Sequence, residues 1–132
     1  MMDTVSLDEL KGRKKLQTLK LIEIMDITRR MAEALDRRDE VSVGVLLGER
    51  EQPIRELQEI EEGIQDCMTR LSENDAIRCA ALLRGEPAET EEEQPLAEQV
   101  GQYRRTLESA IAQDKQLSLR LGGKQSFYNK FR

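Results

Sequence analysis

The strongest constraint on the fold is the spacing of residues between 96 and 121. Leu96, Val100, Tyr103, Leu107, Ala110, Asp114, Leu117 and Leu121 step alternately by four and three. That rhythm returns to the same helix face every two turns and defines a heptad seam, interrupted only by Asp114. A half-buried strand needs period two, which no segment sustains over a useful length. The chain therefore reads as all-α. Its helical segments predict an elongated antiparallel helical bundle or coiled coil of three long helices plus a short helix.

Upstream, Ser6-Leu7-Asp8-Glu9 has the form of a capping box opening the first helix. Its apolar face runs through Leu10, Leu16, Leu19, Leu21, Ile22, Ile24, Ile27, Met31 and Leu35. The cluster Asp36-Arg37-Arg38-Asp39 marks its end, and Asp39 is placed to cap the next helix. There Val41, Val43, Val45, Leu46 and Leu47 supply early apolar contacts, and Ile54, Leu57, Ile60, Ile64 and Met68 continue the spacing. Gly48 and Pro53 predict a kink or break near 48–53, leaving residues 39–71 as one bent helix or two. Ser72 to Asp75 form a turn and cap, and a short helix over 76–83 stops at Gly85. Residues 86–98 hold six glutamates, two prolines and no Lys or Arg, which predicts a solvated acidic linker over 86–95. The expected organisation is one helical-bundle domain over 1–121, followed by an aromatic and basic tail over 122–132.

Composition narrows the chemistry. Histidine is absent, which removes the commonest general acid/base and metal ligand. The two cysteines, Cys67 and Cys79, form no Cys-x-x-Cys pair and are expected as reduced, half-buried thiols. A net charge of −5 disfavours nucleic acid. No signal peptide or membrane span is legible, so a cytoplasmic protein is expected. No phosphate loop or nucleophile elbow occurs. The expectation is a binding protein without catalytic activity, cofactor or metal.

The four aromatics are Tyr103, Phe127, Tyr128 and Phe131, three of them within the last six residues beside Lys130 and Arg132. Large rings bury much area at small entropic cost and anchor interfaces well. The candidate partner-binding residues are Val100, Tyr103, Leu107, Ile111, Leu117 and Leu121 on the seam, with Phe127, Tyr128 and Phe131 in the tail. Core packing within the bundle accounts for the same residues equally well.

The segments Leu35-Asp36-Arg37-Arg38-Asp39-Glu40, Leu46-Leu47-Gly48-Glu49-Arg50 and Pro53-Ile54-Arg55-Glu56-Leu57, with the last helix and its Ser126-Phe127-Tyr128 tail, resemble the bacterial flagellar export chaperones of the FlgN/FliT type. The resemblance implies a cytosolic chaperone for an export substrate, typically a hook-associated protein. It further implies that an amphipathic segment of the cargo docks on the C-terminal helix, here Val100 to Leu121. Tyr128 would be the matching tyrosine for docking on the export gate. Two alternatives stand beside it. One is a self-associating coiled-coil scaffold or adaptor, a homodimer through the same seam. The other is an all-helical chorismate mutase-like enzyme, which the first two segments also resemble. Such enzymes need a lysine about three turns after Arg50, where this chain reads Ile60-Glu61-Glu62-Gly63.

Overall fold

The computed structural model describes residues 4–122 together with Tyr128 and Phe131. Four helices follow in order: α1 (Thr4–Asp36), α2 (Glu40–Thr69), α3 (Glu73–Leu83) and α4 (Gln94–Arg120). The described residues contain no strand. The chain divides into two compact units, one formed by Met1–Thr18 and Gln58–Arg105, the other by Leu19–Leu57 and Thr106–Arg132. Helices α1, α2 and α4 contribute to both units, and α3 belongs to the first.

Burial follows a three-four rhythm on each long helix. On α1 the buried positions include Leu7, Leu10, Lys14, Gln17, Leu21, Ile24, Thr28 and Met31. On α2 they are Leu46, Pro53, Leu57, Ile60, Ile64 and Cys67, with the half-buried Arg50 keeping the step. On α4 all of Leu96, Val100, Tyr103, Leu107, Ala110, Asp114 and Leu117 are buried. In the first unit Leu7, Leu10, Ile60, Ile64, Cys67, Cys79, Leu82, Leu96 and Val100 form one core cluster. In the second, Ile27, Met31, Ala34, Leu46 and Leu117 form another.

The helix ends rest on specific caps. Asp39 accepts from the Ser42 amide at 3.1 Å, and its other oxygen accepts from the Ser42 hydroxyl, so it caps α2 as its residue type suggests. Ser72 accepts from the Asp75 amide and caps α3. Gly85, at φ +100°, closes α3: its amide donates to the Leu82 carbonyl, and the Glu86 amide to Ala81. That is a Schellman ending, which favours glycine at the left-handed position. The α1 end repeats it with Arg38 at φ +58°, whose amide donates to Leu35 while that of Asp39 donates to Ala34.

Two expectations are corrected, and the alternative left open around Pro53 is decided. Ser6 lies inside α1, which already includes Thr4 and Val5, and so does not cap it. Of the two readings open for residues 39–71, one helix or two, the structure has one: α2 runs from Glu40 to Thr69 with Pro53 inside it. An interior proline costs about 3 kcal/mol, and the burial of Leu46, Leu57 and Ile60 on either side outweighs it. Leu16, Leu19, Ile22, Val41, Val45 and Leu47, read as inward-facing, are exposed. The inward positions on α1 are held partly by Lys14, Gln17 and Thr28, which hydropathy assigns to solvent.

Candidate functional site

The candidate partner-binding stripe on α4 is largely covered by the chain itself. Val100, Tyr103, Leu107, Ile111 and Leu117 are buried. Val100 packs in the first core and Leu117 in the second. Only Leu121, which continues the seam one turn beyond Leu117, is exposed. Tyr128 is fully buried, Phe131 is half-buried, and Phe127 lies outside the described residues. Burial pushes the Tyr128 hydroxyl well above its ordinary value, with the nearby Asp114 charge adding to the rise and Arg50 opposing it.

Polar residues placed in the seams meet one another. In the second unit Arg50 Nη1 donates to Asp114 Oδ1 at 3.1 Å and to the Thr28 hydroxyl at 3.2 Å. The three side chains come from the three long helices, each at its own seam position. A buried ionic contact of this kind fixes alignment, because sliding α2 or α4 leaves a charge uncompensated. In the first unit Lys14 Nζ lies 3.4 Å from the centroid of the Tyr103 ring. The negative ring face offsets part of the cost of burying an ammonium. Desolvation still pulls the Lys14 ammonium down to about 8, with Glu61 raising it and Arg104 lowering it. Beside it Gln17 Nε2 donates to Glu61 Oε2 at 2.8 Å.

A third contact lies within the acidic segment between α3 and α4. Arg78 on α3 grips the buried Glu93 with Nε at 3.0 Å and Nη2 at 2.8 Å, and Nη2 also donates to the Pro87 carbonyl. The Glu89 amide donates to the same carboxylate. The Arg78 hydrogen bonds hold the Glu93 carboxyl below its ordinary range. Glu86, Glu89, Glu91 and Glu92 do face solvent, as an acidic linker should.

Both cysteines are free, buried in the first core, and pushed upward by burial, Cys79 to about 11. Thiols so protonated are poor nucleophiles. Among the described residues no group of three His, Cys, Asp or Glu side chains is arranged to hold a metal. Among the same residues no helix is long and apolar enough to cross a membrane.

Exposed apolar surface is unevenly shared between two units of equal length. The first shows Val5, Leu16 and Ile77, whereas the second shows Leu19, Ile22, Val41, Val45, Leu47, Leu119 and Leu121. The signal available in the sequence was the apolar count itself: α1 and α2 carry more apolar residues than one seam can bury. A scan against protein-family models and searches of curated proteins and of solved structures found no match to this chain.

Proposed function

We propose that the protein is a cytosolic helical chaperone of the flagellar export type, which holds an export substrate such as a hook-associated protein through apolar helix contacts. The observation that supports this reading is the concentration of uncovered large apolar side chains on the second unit. An apolar helix face left open is what an amphipathic partner segment completes. With the α4 seam filled by α1 and α2, cargo contact falls on the uncovered residues of the second unit, Leu19 and Ile22 on α1 and Leu119 and Leu121 at the end of α4. In this reading Tyr128 reaches an export gate only after leaving its buried position.

The test is titration of an amphipathic peptide from a hook-associated export substrate onto the full chain. Leu119→Asp combined with Leu121→Asp is expected to raise Kd at least about tenfold, the effect of removing two apolar anchors. Circular dichroism should be unchanged, because both residues are exposed. Equal binding by wild type and variant, or no binding by either, overturns the proposal.

A further inference from the structure

Lys14 is buried on the inward seam of α1, 5% exposed, whereas Lys15 beside it and Lys115 on α4 stand in solvent. Lys20 is half-buried, but it ends between Glu23 and Glu56 in two ion pairs. The Lys14 nitrogen has no such anchor. Among the described residues it makes no ion pair or hydrogen bond, and it rests 3.4 Å from the centroid of the Tyr103 ring. Gln17 Oε1, one turn further along the same face, is sealed from solvent and accepts no hydrogen bond. The Lys14 nitrogen is not sealed in this way, so solvent reaches it while the rest of the side chain is enclosed. Two charges from the other helices act on this amine, Glu61 of α2 and Arg104 of α4. Arg104 is exposed and likewise makes no ion pair or hydrogen bond among the described residues. All five residues lie in the first unit.

A lysine enclosed by apolar atoms and a ring, with no carboxylate at ion-pair distance, is held partly as the free amine, its nucleophilic form. With Lys14 at about 8, roughly a quarter of it is amine at pH 7.5, against about 0.1% for an exposed lysine. The surroundings also select the adduct. An amide removes the buried charge permanently, offers an N–H to the unused Gln17 Oε1 and offers a carbonyl to Arg104. An anionic adduct, such as the carbamate formed with carbon dioxide, would set a second negative charge near Glu61. An imine formed with an aldehyde has no N–H and leaves Gln17 unsatisfied. The solvent-facing Arg104 guanidinium favours a donor whose leaving group is negatively charged.

We infer that Lys14 is a covalent modification site, which takes a small neutral acyl group from an acyl phosphate. The nitrogen lone pair attacks the acyl carbonyl carbon and the bond from that carbon to the phosphate oxygen breaks. Phosphate leaves with the proton released by the nitrogen, and no oxidation or reduction is involved. The site lies apart from the uncovered apolar residues of the second unit and does not depend on the chaperone reading.

The test is incubation of the full chain with acetyl phosphate at about pH 7.5, following acetylation of each lysine over time by peptide mass spectrometry. Lys14 should react at least about tenfold faster than Lys15 and Lys115, because its larger amine fraction outweighs its lower basicity and its enclosure. Its rate should level off above about pH 8, whereas theirs should climb to about pH 10. Glu61→Gln removes the charge that favours the ammonium and keeps an acceptor for Gln17, so it should speed Lys14 about threefold at neutral pH. Arg104→Gln should slow Lys14 by a similar factor, and neither variant should move Lys15. The chain acetylated at Lys14 should also melt higher at neutral pH than the unmodified chain, since no ammonium is then buried. Reaction of Lys14 no faster than Lys15 overturns the inference, as does a lower melting temperature of the acetylated chain. Acetylation by neutral phenyl acetate but not by acetyl phosphate overturns the acyl phosphate as donor.

Discussion

Each unit buries a cation, and the two do so differently. In the first, the Lys14 ammonium lies against the Tyr103 ring, with Glu61 as the acidic neighbour raising it and Arg104 opposing. In the second, the Arg50 guanidinium donates directly to the Asp114 carboxylate and the Thr28 hydroxyl. A ring face offsets only part of the desolvation of an ammonium, so Lys14 is left titratable near neutral pH. A direct carboxylate contact leaves the charge in place and makes each partner intolerant of losing the other. The first unit should therefore respond to pH and the second to truncation. The second is also the unit with more uncovered apolar surface, so its alignment is fixed by charge where apolar burial is less complete.

The largest expected effect is at the ion pair. Asp114→Ala should destabilise the protein by about 3–5 kcal/mol, because Arg50 is left charged and largely buried without its carboxylate partner. Arg50→Met combined with Asp114→Leu should recover most of that loss, since apolar side chains of similar volume suit the site. Urea unfolding of the three proteins measures both quantities. A cost below about 1 kcal/mol for the single variant would show that water reaches Arg50, and the contrast with Lys14 would collapse.

The next effect is a pH response. Lys14 in the folded chain loses its proton near 8, against about 10.4 when unfolded. Between these values the unfolded chain binds more protons, so the Lys14 contribution to stability rises with pH. Below about pH 8 both states are protonated and the contribution is level. Cys67, Cys79, Tyr103 and Tyr128 act oppositely at higher pH, because burial raises each of them and the folded chain holds its proton longer. The Lys14 part is isolated by subtraction: wild type should gain on Lys14→Met by about 2 kcal/mol from pH 8 to pH 10. A pH-independent difference between the two proteins would mean that Lys14 is solvated.

The contrast was only partly legible in the sequence. The α4 seam was visible because its residues are apolar in strict rhythm, and Asp114 stood out as the one exception. Its partner could not be seen, since Arg50 lies 64 residues away and reads as an ordinary charged position on α2. On α1 the same rhythm was hidden, because Lys14, Gln17 and Thr28 occupy inward positions while Leu16, Leu19 and Ile22 occupy outward ones. Hydropathy assigns each of these six to the wrong side. Periodicity at three and four residues, counted without regard to polarity, recovers 7, 10, 14, 17, 21, 24, 28 and 31, all of them buried, with Thr18, Ile27 and Ala34 buried beside them. Glu93 was hidden in the same way, as one acid among six, distinguished only by the arginine that folds onto it.

The smallest expected effect sharpens the comparison at the helix ends, where both units use one backbone motif with different residues. Gly85 closes α3 in the first unit, and Arg38 closes α1 in the second, each with positive φ and the same pair of amide-to-carbonyl bonds. A left-handed conformation costs a residue with a Cβ about 1–2 kcal/mol, and glycine recovers less than that because it is freer when unfolded. Arg38→Gly should therefore stabilise the protein by about 0.5–1 kcal/mol. The reverse change is not symmetrical. Gly85→Ala adds the same backbone strain and also brings a Cβ to 3.1 Å from the Arg104 side chain, so it should cost at least about 1 kcal/mol. Thermal melts measure both changes.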